Sequence, residues 1–481
     1  MEQKIRRVRR TKIVATVGPA SSSEALLREL LERGVNVFRL NFSHGTRDDH
    51  AQVVTTVRKL ENAIGRPVGI LQDVQGPKIR VGKSLDKAGI ELKPGATFRL
   101  TIDDSPGTHE RIGFTYPELM RDLSVNQRIL INDGLIELRA TKILSDEIIT
   151  TVVVGGRLTD NKGINLPDCE LALGAMTEKD KIDLEVGAEL GIDWVALSFV
   201  RSSDDIRHAR ELLRQKGSNA KVMAKIERYS AVLRFEEILT EADGIMVARG
   251  DLGVEMRPEI VPIIQKKIIR LCNDAGKPVV TATQMLESMI QAPTPTRAEA
   301  SDVANAIFDG TDAVMLSAET ATGQYPAKAV DMMDRIARQV EESPEYENRF
   351  YRFDTVEAKQ TSQDAVCHSA SRIAHALPAN VVASFTSTGS TAWRMARYRP
   401  RAPTVALTPF ENVARQLSIG WGIIALIAPD PTSSDHLSQE AISILQRSRM
   451  VQARDVVVIT AGVPFGQSGT TNMLRVEQVG F

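Results

Sequence analysis

The sequence predicts an α/β fold whose main part is a closed barrel of eight parallel strands and their helices, a (β/α)8 or TIM barrel. Short apolar strand patterns alternate with amphipathic helix patterns through the first two thirds of the chain, which is typical of a parallel sheet buried on both faces. Eight such patterns occur, the number that closes this kind of barrel. They are Ile13–Val17, Val37–Asn41, Val68–Asp73, Trp194–Val200, Lys221–Glu227, Gly244–Asp251, Val279–Gln284 and Ala313–Glu319.

Charged and polar residues stand at the carboxyl ends of these patterns. In a β/α barrel the active site lies at the rim formed by those ends. One rim would therefore collect a lysine, an arginine and several carboxylates, which together can handle a phosphorylated, metal-bound substrate. The residues are Arg39, Asp73, Lys225, Glu227, Asp251, Thr283 and Glu319.

The alternation of strand and helix patterns is interrupted after the third strand pattern. From about residue 75 to 168 the sequence is mainly of β type, with turn residues such as Asn132-Asp133-Gly134 and one short helical pattern near Tyr116–Asp122. We predict an all-β lid domain inserted in the loop after strand three, where it leaves the barrel ends in place. Its closure over the rim would exclude water.

A third pattern starts beyond a polar stretch around residues 345–360. Five strands, with helices between the first four, predict an open α/β domain at the C-terminus. The predicted strands are Val381–Thr386, Thr404–Leu407, Ile423–Ile427, Val456–Ala461 and Leu474–Val479. The predicted domains are a barrel of residues 1–74 and 169–345, a lid of residues 75–168 and a C-terminal domain of residues 346–481.

Composition excludes several classes of protein. The net charge of −1 argues against a nucleic-acid partner, which would require a large basic footprint; the basic run Lys4–Arg10 is interpreted as a solvated tail. The three cysteines are far apart and predict neither a disulfide framework nor a zinc site. Because the sequence has no apolar run of about 18 residues and no apolar N-terminal leader, we expect a cytoplasmic protein without a membrane partner.

Two motifs carry the predicted chemistry of the rim. Lys225 and Glu227 lie two residues apart on one strand, so both side chains point to the same face; a structural ion pair is the alternative interpretation. The segment Arg249–Gly253 contains Gly250, whose backbone N–H could approach an anion, and Asp251, which could hold a divalent metal. Ordinary turn chemistry is the alternative for this second motif.

Long stretches of the chain resemble the pyruvate kinase family, in order and at the family's spacing. The matching segments are FRLNFSHG, QGPKIR, NKGINLP, AKIER, GIMVARGDLGVE, TATQMLESM, PTRAEASDVANA and DAVMLSAETATGQYP. The resemblance covers essentially the whole chain, including the lid and the C-terminal domain. It implies transfer of the phosphoryl group of phosphoenolpyruvate to ADP, giving pyruvate and ATP, with Mg²⁺ or Mn²⁺ as cofactor and commonly a homotetrameric assembly.

The resemblance also implies roles for the rim residues. Arg39 is similar to the arginine that grips the transferring phosphoryl group, and Lys225 to the lysine that stabilises its charge and the enolate oxygen. Glu227 and Asp251 resemble the metal ligands. Phosphoryl transfer requires mainly positioning and charge neutralisation from a protein, which these groups can provide.

Further positions match the substrate and nucleotide sites of the family. The Gly250–Asp251 backbone and Thr283 are similar to the clamp on the substrate carboxylate, and Thr283 with Ser317 could anchor a hydroxyl–water relay that protonates the enolate. The nucleotide-side positions are Asn41, His44, Arg80 and Lys162.

One segment departs from the familiar pattern of the family. Many members bind K⁺ with oxygen ligands that correspond to Asn41, Ser43, Asp73 and the carbonyl of Val74, and carry glutamate where this chain has Lys78. The lysine resembles that of the potassium-independent branch. Its ammonium can supply the positive charge of K⁺, and two such charges at about 4 Å would repel by about 4 kcal/mol near a surface. We therefore predict activity without added K⁺; the alternative is that Lys78 points to solvent.

The C-terminal domain contains a predicted effector site. A strand, a turn of small polar residues and a helix beginning near Ser390 would form an anion cradle of hydroxyls and N–H groups, with plain helix capping as the alternative. The residues of this loop are Thr386, Ser387, Thr388, Gly389, Ser390 and Thr391. The family uses the matching loop for sugar-phosphate effectors, and serines where some relatives carry basic side chains favour a sugar monophosphate over a bisphosphate. Residues 465–472 could close over the same ligand.

Two other functions remain as alternatives. A metal-dependent aldolase or lyase that acts on pyruvate enolate would use Glu227 and Asp251, but it does not explain the presence of the lid or of Lys162. A metabolite-sensing scaffold with a decayed barrel would have lost Arg39 or Lys225, and both are present.

Overall fold

The chain begins with the first three units of a parallel barrel. The structure, a computed structural model, describes residues 9–169, 174–351, 358–431, 433, 436–464 and 469–480. The first elements are β1 (Lys12–Val17), α1 (Glu24–Glu32), β2 (Val37–Asn41), α2 (Arg47–Ile64) and β3 (Gly69–Asp73). The side chain of Ser23 caps α1, and Thr46 forms a capping box with Asp49 at α2, so polar residues at the helix starts satisfy free N–H groups of both helices.

An all-β domain is inserted after β3. Its elements are β4 (Ile90–Leu92), β5 (Thr97–Thr101), β6 (Arg111–Gly113), α3 (Leu119–Asp122), β7 (Arg128–Ile131), β8 (Ile136–Ile143), β9 (Glu147–Val154), β10 (Gly156–Leu158) and β11 (Ile164–Asn165). Six strands form one sheet in the order β11-β7-β8-β9-β5-β6, and β10 pairs with β4. Alternate residues of β8 and β9 are buried, as expected for strands with one solvated face.

The chain then returns to the barrel. The elements are α4 (Glu178–Glu189), β12 (Trp194–Leu197), α5 (Ser203–Gln215), β13 (Lys221–Ile226), α6 (Tyr229–Leu233), α7 (Phe235–Glu241), β14 (Gly244–Ala248), α8 (Arg249–Glu255), α9 (Val261–Ala275), β15 (Val279–Ala282), α10 (Arg297–Asp309), β16 (Ala313–Leu316), α11 (Ala318–Ala321), α12 (Pro326–Glu341) and α13 (Pro344–Phe350), with short 3₁₀ helices over Pro258–Ile260 and Glu287–Ile290. The eight strands close in the order β1-β16-β15-β14-β13-β12-β3-β2, all parallel. The predicted TIM barrel is confirmed.

Four barrel strands end two or three residues earlier than the sequence predicts, and β13 ends one residue earlier, at Ile226. The patterns that end at Asp251 and Glu319 run past β14 and β16, because the chain turns at once into α8 and α11. Beyond β15, Thr283 and Gln284 have φ of 66° and 53°, and beyond β12 Phe199 has φ of 54°, which an extended strand does not allow. Asp251, Thr283 and Glu319 are therefore presented by turns and helix starts, whereas Arg39, Asp73 and Lys225 lie within their strands.

The C-terminal domain is an open five-stranded sheet with helices. Its elements are α14 (Ser362–Ala376), β17 (Val381–Phe385), α15 (Ser390–Arg397), β18 (Thr404–Thr408), α16 (Glu411–Leu417), β19 (Ile423–Ile427), α17 (Leu437–Arg447), β20 (Val456–Gly462) and β21 (Thr471–Gln478). The strand order is β19-β18-β17-β20-β21, and only β21 runs antiparallel to its neighbour.

This domain packs against the amino-terminal end of the barrel, opposite the rim. The indole Nε1 of Trp194, the first residue of β12, donates to the carbonyl of Gln416 at 3.0 Å, and its ring meets Trp393 edge-on. The buried ammonium of Lys12 at the start of β1 donates to the carbonyl of Ile423 at 2.6 Å. Side chains of the C-terminal domain thus close the base of the barrel.

The segments on either side of the barrel are partly ordered against it. The polar stretch that begins near residue 345 starts with α13, because Tyr346 is fully buried against the barrel core and fixes the helix there. The interpretation of Lys4–Arg10 as a solvated tail was wrong for Arg9, which is 7% exposed and whose Nε donates to Asp334 at 2.8 Å; residues 4–8 lie outside the described residues. Within the described part of the chain, no helix is both long and apolar enough to span a membrane.

Candidate active site

One buried carboxylate joins two cations at the carboxyl end of the barrel. Asp73 at the end of β3 accepts from Arg39 Nε at 2.7 Å through one oxygen and from Lys225 Nζ at 3.1 Å through the other. Burial alone would raise the pKa of Asp73, but Lys225 and Arg39 outweigh it and hold the pKa below its usual value. An arginine from β2 and a lysine from β13 are therefore fixed side by side.

The ammonium of Lys225 has three oxygen partners. Besides Asp73, it donates to Ser198 Oγ at 2.7 Å and lies 2.9 Å from Glu227 Oε1. Burial would lower the pKa of Lys225, but the attraction of Asp73 and Glu227 is stronger and raises the pKa above its ordinary value. Lys225 consequently carries its positive charge near neutral pH, and its side chain is only 12% exposed.

Glu227 and Asp251 form the acidic part of the site. Glu227 is 1% exposed and accepts from the backbone N–H of Phe199 at 2.7 Å. Burial raises the pKa of Glu227, Lys225 opposes that shift, and the charge of Asp251 adds to it. Two neighbouring carboxylates that repel each other suit Mg²⁺, which takes one or two protein carboxylates together with substrate oxygens and water.

A backbone donor lies at the start of α8. The N–H of Gly250 donates to Thr283 Oγ1 at 2.8 Å, and that hydroxyl donates to the carbonyl of Ala282 at 2.6 Å. Arg249 holds the loop in place, since it donates to Asp302 and to the carbonyl of Thr283, both at 2.7 Å. The structure thus brings Gly250, Asp251 and Thr283 together at one helix start.

Ser317 and Glu319 follow β16 at the same rim. Glu319 is 2% exposed and accepts from the N–H groups of Leu286 and Ser317 at 3.1 and 2.6 Å, so its task is to hold the backbone. The hydroxyl of Ser317 is buried and has no hydrogen-bond partner among the described residues. A buried polar group without a partner is rare in folded proteins and makes this hydroxyl available to a ligand or a water molecule.

The lid reaches the rim through Lys78. Its Nζ lies 3.6 Å from Asp251 Oδ1, so among the described residues its ion-pair partner is a candidate metal ligand and not the predicted cation pocket. In that pocket Asp73 is paired with Arg39 and Lys225, while the side chain of Asn41 accepts from the N–H of Ser43 at 3.2 Å. The position of Lys78 therefore differs from the expected one.

A cavity of about 800 Å³ separates the lid from the barrel. Lys78 and Asp133 line it from the lid, and Gly250 and Asp251 line it from α8. Among the described residues, neither Arg39 nor Lys225 belongs to its lining, so the cavity does not include the cation pair. Its size is adequate for a nucleotide-sized ligand.

The four nucleotide-side residues lie in two places. Asn41 is the last residue of β2, and His44 lies exposed in the loop that follows. Arg80 and Lys162 belong to the lid: Arg80 donates to the carbonyl of Asn161 at 2.9 Å, and the carbonyl of Lys162 accepts from Val81.

The effector loop follows β17. Thr386 and Thr391 are buried, and the Thr391 hydroxyl is hydrogen-bonded to that of Thr471 at 2.7 Å. The start of α15 at Ser390 has Gly389 as its N-cap, with φ of 83° and no side-chain cap, while Ser387 and Thr388 are at least partly exposed. Residues 465–468 of the second predicted loop lie outside the described residues.

Sequence reasoning missed Ser198 as part of the site. Its hydroxyl lies 2.7 Å from both Lys225 Nζ and the carbonyl of Val74. The residue directly follows β12 at the predicted rim, so its position in the barrel pattern was the available signal. Thr16 was also missed: its hydroxyl accepts from Arg39 Nη1 at 3.0 Å.

The barrel, the lid and a rim of paired cations and carboxylates define an enzyme of the phosphotransferase class. Comparison with known families supports this assignment: residues 8–330 match the family described as pyruvate kinase, barrel domain, and residues 364–477 match pyruvate kinase, alpha/beta domain. The chain belongs to the pyruvate kinase family.

Curated relatives with the name pyruvate kinase match almost the entire chain. The protein from Geobacillus stearothermophilus is 46% identical over 98% of this chain and 80% of its own length. The protein from Methylorubrum extorquens is 44% identical over 99% of this chain and 98% of its own, and one from Agrobacterium vitis is 46% identical over 99% and 100%. Membership of this family implies phosphoenolpyruvate and ADP as substrates and dependence on a divalent metal ion.

Proposed function

We propose that this chain transfers the phosphoryl group of phosphoenolpyruvate to ADP with Mg²⁺ as the divalent ion. The observation that carries the proposal is the joint attachment of Arg39 and Lys225 to Asp73, next to Glu227 and near Asp251. Positive groups fixed in advance stabilise charge that develops on a transferring phosphoryl group without reorganisation during the reaction.

The residues have distinct tasks in this proposal. Arg39 holds the transferring group, and Lys225 stabilises its charge and the enolate oxygen. Gly250 and Thr283 bind the substrate carboxylate through N–H and hydroxyl groups, and Thr283 with Ser317 orders the water that protonates the enolate. Glu227 and Asp251 would hold Mg²⁺, which neutralises phosphate charge when bound. Asn41, His44, Arg80 and Lys162 bind the nucleotide.

Incubation of the protein with phosphoenolpyruvate, ADP and Mg²⁺, followed by detection of ATP and pyruvate, tests the reaction. Formation of both products in equal amounts supports the proposal. Pyruvate and inorganic phosphate without ATP would mean hydrolysis of phosphoenolpyruvate instead of transfer to ADP, and no product at all would favour the aldolase or lyase alternative or a scaffold. A homotetrameric assembly and a cytoplasmic location stay predictions; light scattering of the purified protein tests the assembly.

Activity without added K⁺ is expected because Lys78 provides a fixed positive charge at the rim. Its side chain is 26% exposed and lies 3.6 Å from Asp251, so it is directed toward the site and not into bulk solvent. Initial rates in sodium and potassium buffers should agree within about twofold, because the rim already carries the Lys78 ammonium and Asp73 of the predicted cation pocket is already paired with Arg39 and Lys225. The variant Lys78→Gln should lose activity in sodium and recover part of it in potassium.

Lys83→Gln is the matched control, because Lys83 is an exposed lysine of the same domain. Its rates should not depend on the choice of cation. Several-fold stimulation of the unchanged protein by K⁺ would show that Lys78 does not replace the ion.

A sugar monophosphate is expected to activate the enzyme at lower concentration than a sugar bisphosphate. The accessible part of the effector loop offers the hydroxyls of Ser387, Thr388 and Ser390 and the N–H groups at the start of α15, which is a site for one phosphate. Half-maximal activation by glucose 6-phosphate and by fructose 1,6-bisphosphate, measured with subsaturating phosphoenolpyruvate, decides this. A lower half-maximal concentration for the bisphosphate would contradict the prediction.

A further inference from the structure

A second large cavity lies between the barrel and the C-terminal domain, away from the rim. Its volume is about 660 Å³, and it is lined by α9, the ends of α10 and α13, helix α14 and the segment that follows α15. The effector loop lies at the beginning of α15, whereas this cavity lies at the end of the same helix, next to Arg397 and Tyr398. The cavity is therefore separate from the effector loop, and it adjoins the cavity beside the rim, since Lys266 and Asp309 line both.

The lining is strongly cationic. Eight lysine and arginine residues face two aspartates. The cations are Lys266, Lys267, Arg270, Arg349, Arg372, Arg397, Arg399 and Arg401. Four of them are neutralised locally. Lys266 pairs with Asp309, Arg397 with Asp364 at 2.8 Å, Arg399 with Asp312 at 3.4 Å and Arg401 with Glu347 at 3.1 Å. Lys267 and Arg270 are exposed on α9 and form no ion pair among the described residues, so the cavity has an excess of positive charge without a protein counter-charge.

One of these cations is buried with a free donor. Arg399 is 5% exposed, stacks on Trp421 at 4.5 Å and donates through Nη2 to Asn273 Oδ1 at 3.2 Å. Its Nη1 is buried and has no hydrogen-bond partner within the described chain. The guanidinium as a whole lies 3.4 Å from Asp312 Oδ1, so its charge is balanced inside the protein and Arg399 forms a fixed part of the cavity wall.

The cavity also has an aromatic part. Phe350, Tyr351 and Tyr398 contribute rings, and His368 lies 5.1 Å from the ring of Tyr398. Burial lowers the pKa of His368, and the charge of Arg372 lowers it further. Rings next to guanidinium groups provide a surface for an apolar group that is attached to an anion.

We propose that this cavity binds an organic phosphate, with the phosphate on the cations of α9 and the residues that follow α15 and the carbon portion on the aromatic rings. A phosphate monoester carries nearly two negative charges at neutral pH, and an arginine guanidinium forms bidentate hydrogen bonds with it. A ligand in this position contacts α9 of the barrel and α14 of the C-terminal domain together, so it would stabilise their association.

Phenyl phosphate is the probe, because it combines one phosphate with one ring. Its affinity for the full chain, measured by isothermal titration calorimetry without Mg²⁺, should exceed that of inorganic phosphate and that of benzoate. In Lys267→Gln/Arg270→Gln the affinity for phenyl phosphate should fall by about tenfold or more, because two charge-assisted contacts are lost. Both residues are exposed, so the variant should fold normally, which its thermal unfolding midpoint checks.

Two controls locate the binding site. Lys93→Gln/Arg99→Gln changes the same two residue types at exposed positions of the lid and should leave the affinity unchanged. Ser387→Ala/Ser390→Ala alters the effector loop and should also leave it unchanged. No binding of phenyl phosphate, equal affinity in the Lys267/Arg270 variant, or benzoate or inorganic phosphate binding as tightly as phenyl phosphate would each overturn the proposal.

Discussion

Lys225→Met is expected to lower kcat by about 10²- to 10³-fold or more, while the Kd for phosphoenolpyruvate changes by less than about tenfold. The reason is that the ammonium faces charge that grows as the phosphoryl group leaves, so its contribution is greatest in the transition state. Neighbouring Arg39 still offers a positive charge to the bound substrate, since it is held independently by Asp73 and Thr16. Steady-state rates and equilibrium titration of phosphoenolpyruvate, measured separately, check both parts.

The same variant should also be less stable. Removal of one member of a buried ion pair costs up to about 3–5 kcal/mol, but Asp73 keeps Arg39 and Glu227 keeps the N–H of Phe199 as partners. We therefore expect a loss at or below the lower end of that range, measured by chemical unfolding. Rates must be recorded where the variant is fully folded.

Lys221→Met is the matched control for this variant. Lys221 lies on the same strand, β13, at the end away from the rim, and contacts Asp243 at 3.5 Å. Its replacement should change kcat by less than about twofold, because it is far from charge that develops in the reaction. Near-normal turnover of Lys225→Met would refute the role given to Lys225.

Asp251→Ala should raise the Mg²⁺ concentration for half-maximal activity by about tenfold or more. Mutations of residues around a bound metal typically lower metal affinity by at least about that factor. Asp251 supplies one of the two carboxylates at the rim, and its charge also raises the pKa of Glu227. In the variant Glu227 remains, held by Lys225 and Phe199, so excess Mg²⁺ should restore part of the activity. A titration of initial rate against Mg²⁺ measures the shift.

Asp133→Ala provides the comparison for the metal site. Asp133 is an exposed aspartate that lines the same cavity from the lid. Its replacement by alanine therefore removes one negative charge from the cavity, as Asp251→Ala does. Its Mg²⁺ dependence should match that of the unchanged protein. An unaltered Mg²⁺ dependence in Asp251→Ala would mean that Asp251 is not a metal ligand.

The barrel could be predicted from the sequence because each strand and its cap are encoded locally. Apolar runs such as those of β12 and β14, with four and five residues, predict buried strands. Thr177 marks the start of α4, where it forms a capping box with Asp180. Where a strand ends was less well encoded. The positive φ of Thr283 depends on the loop that surrounds it, and no local preference of threonine predicts it.

The contacts that organise the site could not be predicted, since they join residues that are distant in the chain. Asp73 was assigned to a cation pocket, and only the folded structure shows Arg39 and Lys225 on its two oxygens. The sequence places Lys78 near Asp73, yet its ammonium lies 3.6 Å from Asp251, a residue distant in the chain. Arg9 appeared to be part of a basic tail, and its burial depends on Asp334 far along the chain.

Strand β12 is a short, extended segment that runs from the amino-terminal to the carboxyl-terminal end of the barrel. Trp194 anchors its lower end to the carbonyl of Gln416 in the C-terminal domain, and Ser198, directly beyond its upper end, holds the Lys225 ammonium. Four residues of extended chain span about 13 Å, and an extended backbone barely stretches. A movement of the C-terminal domain against the amino-terminal end of the barrel would therefore shift Ser198 and with it the Lys225 Nζ. The lid would not have to move for this to occur.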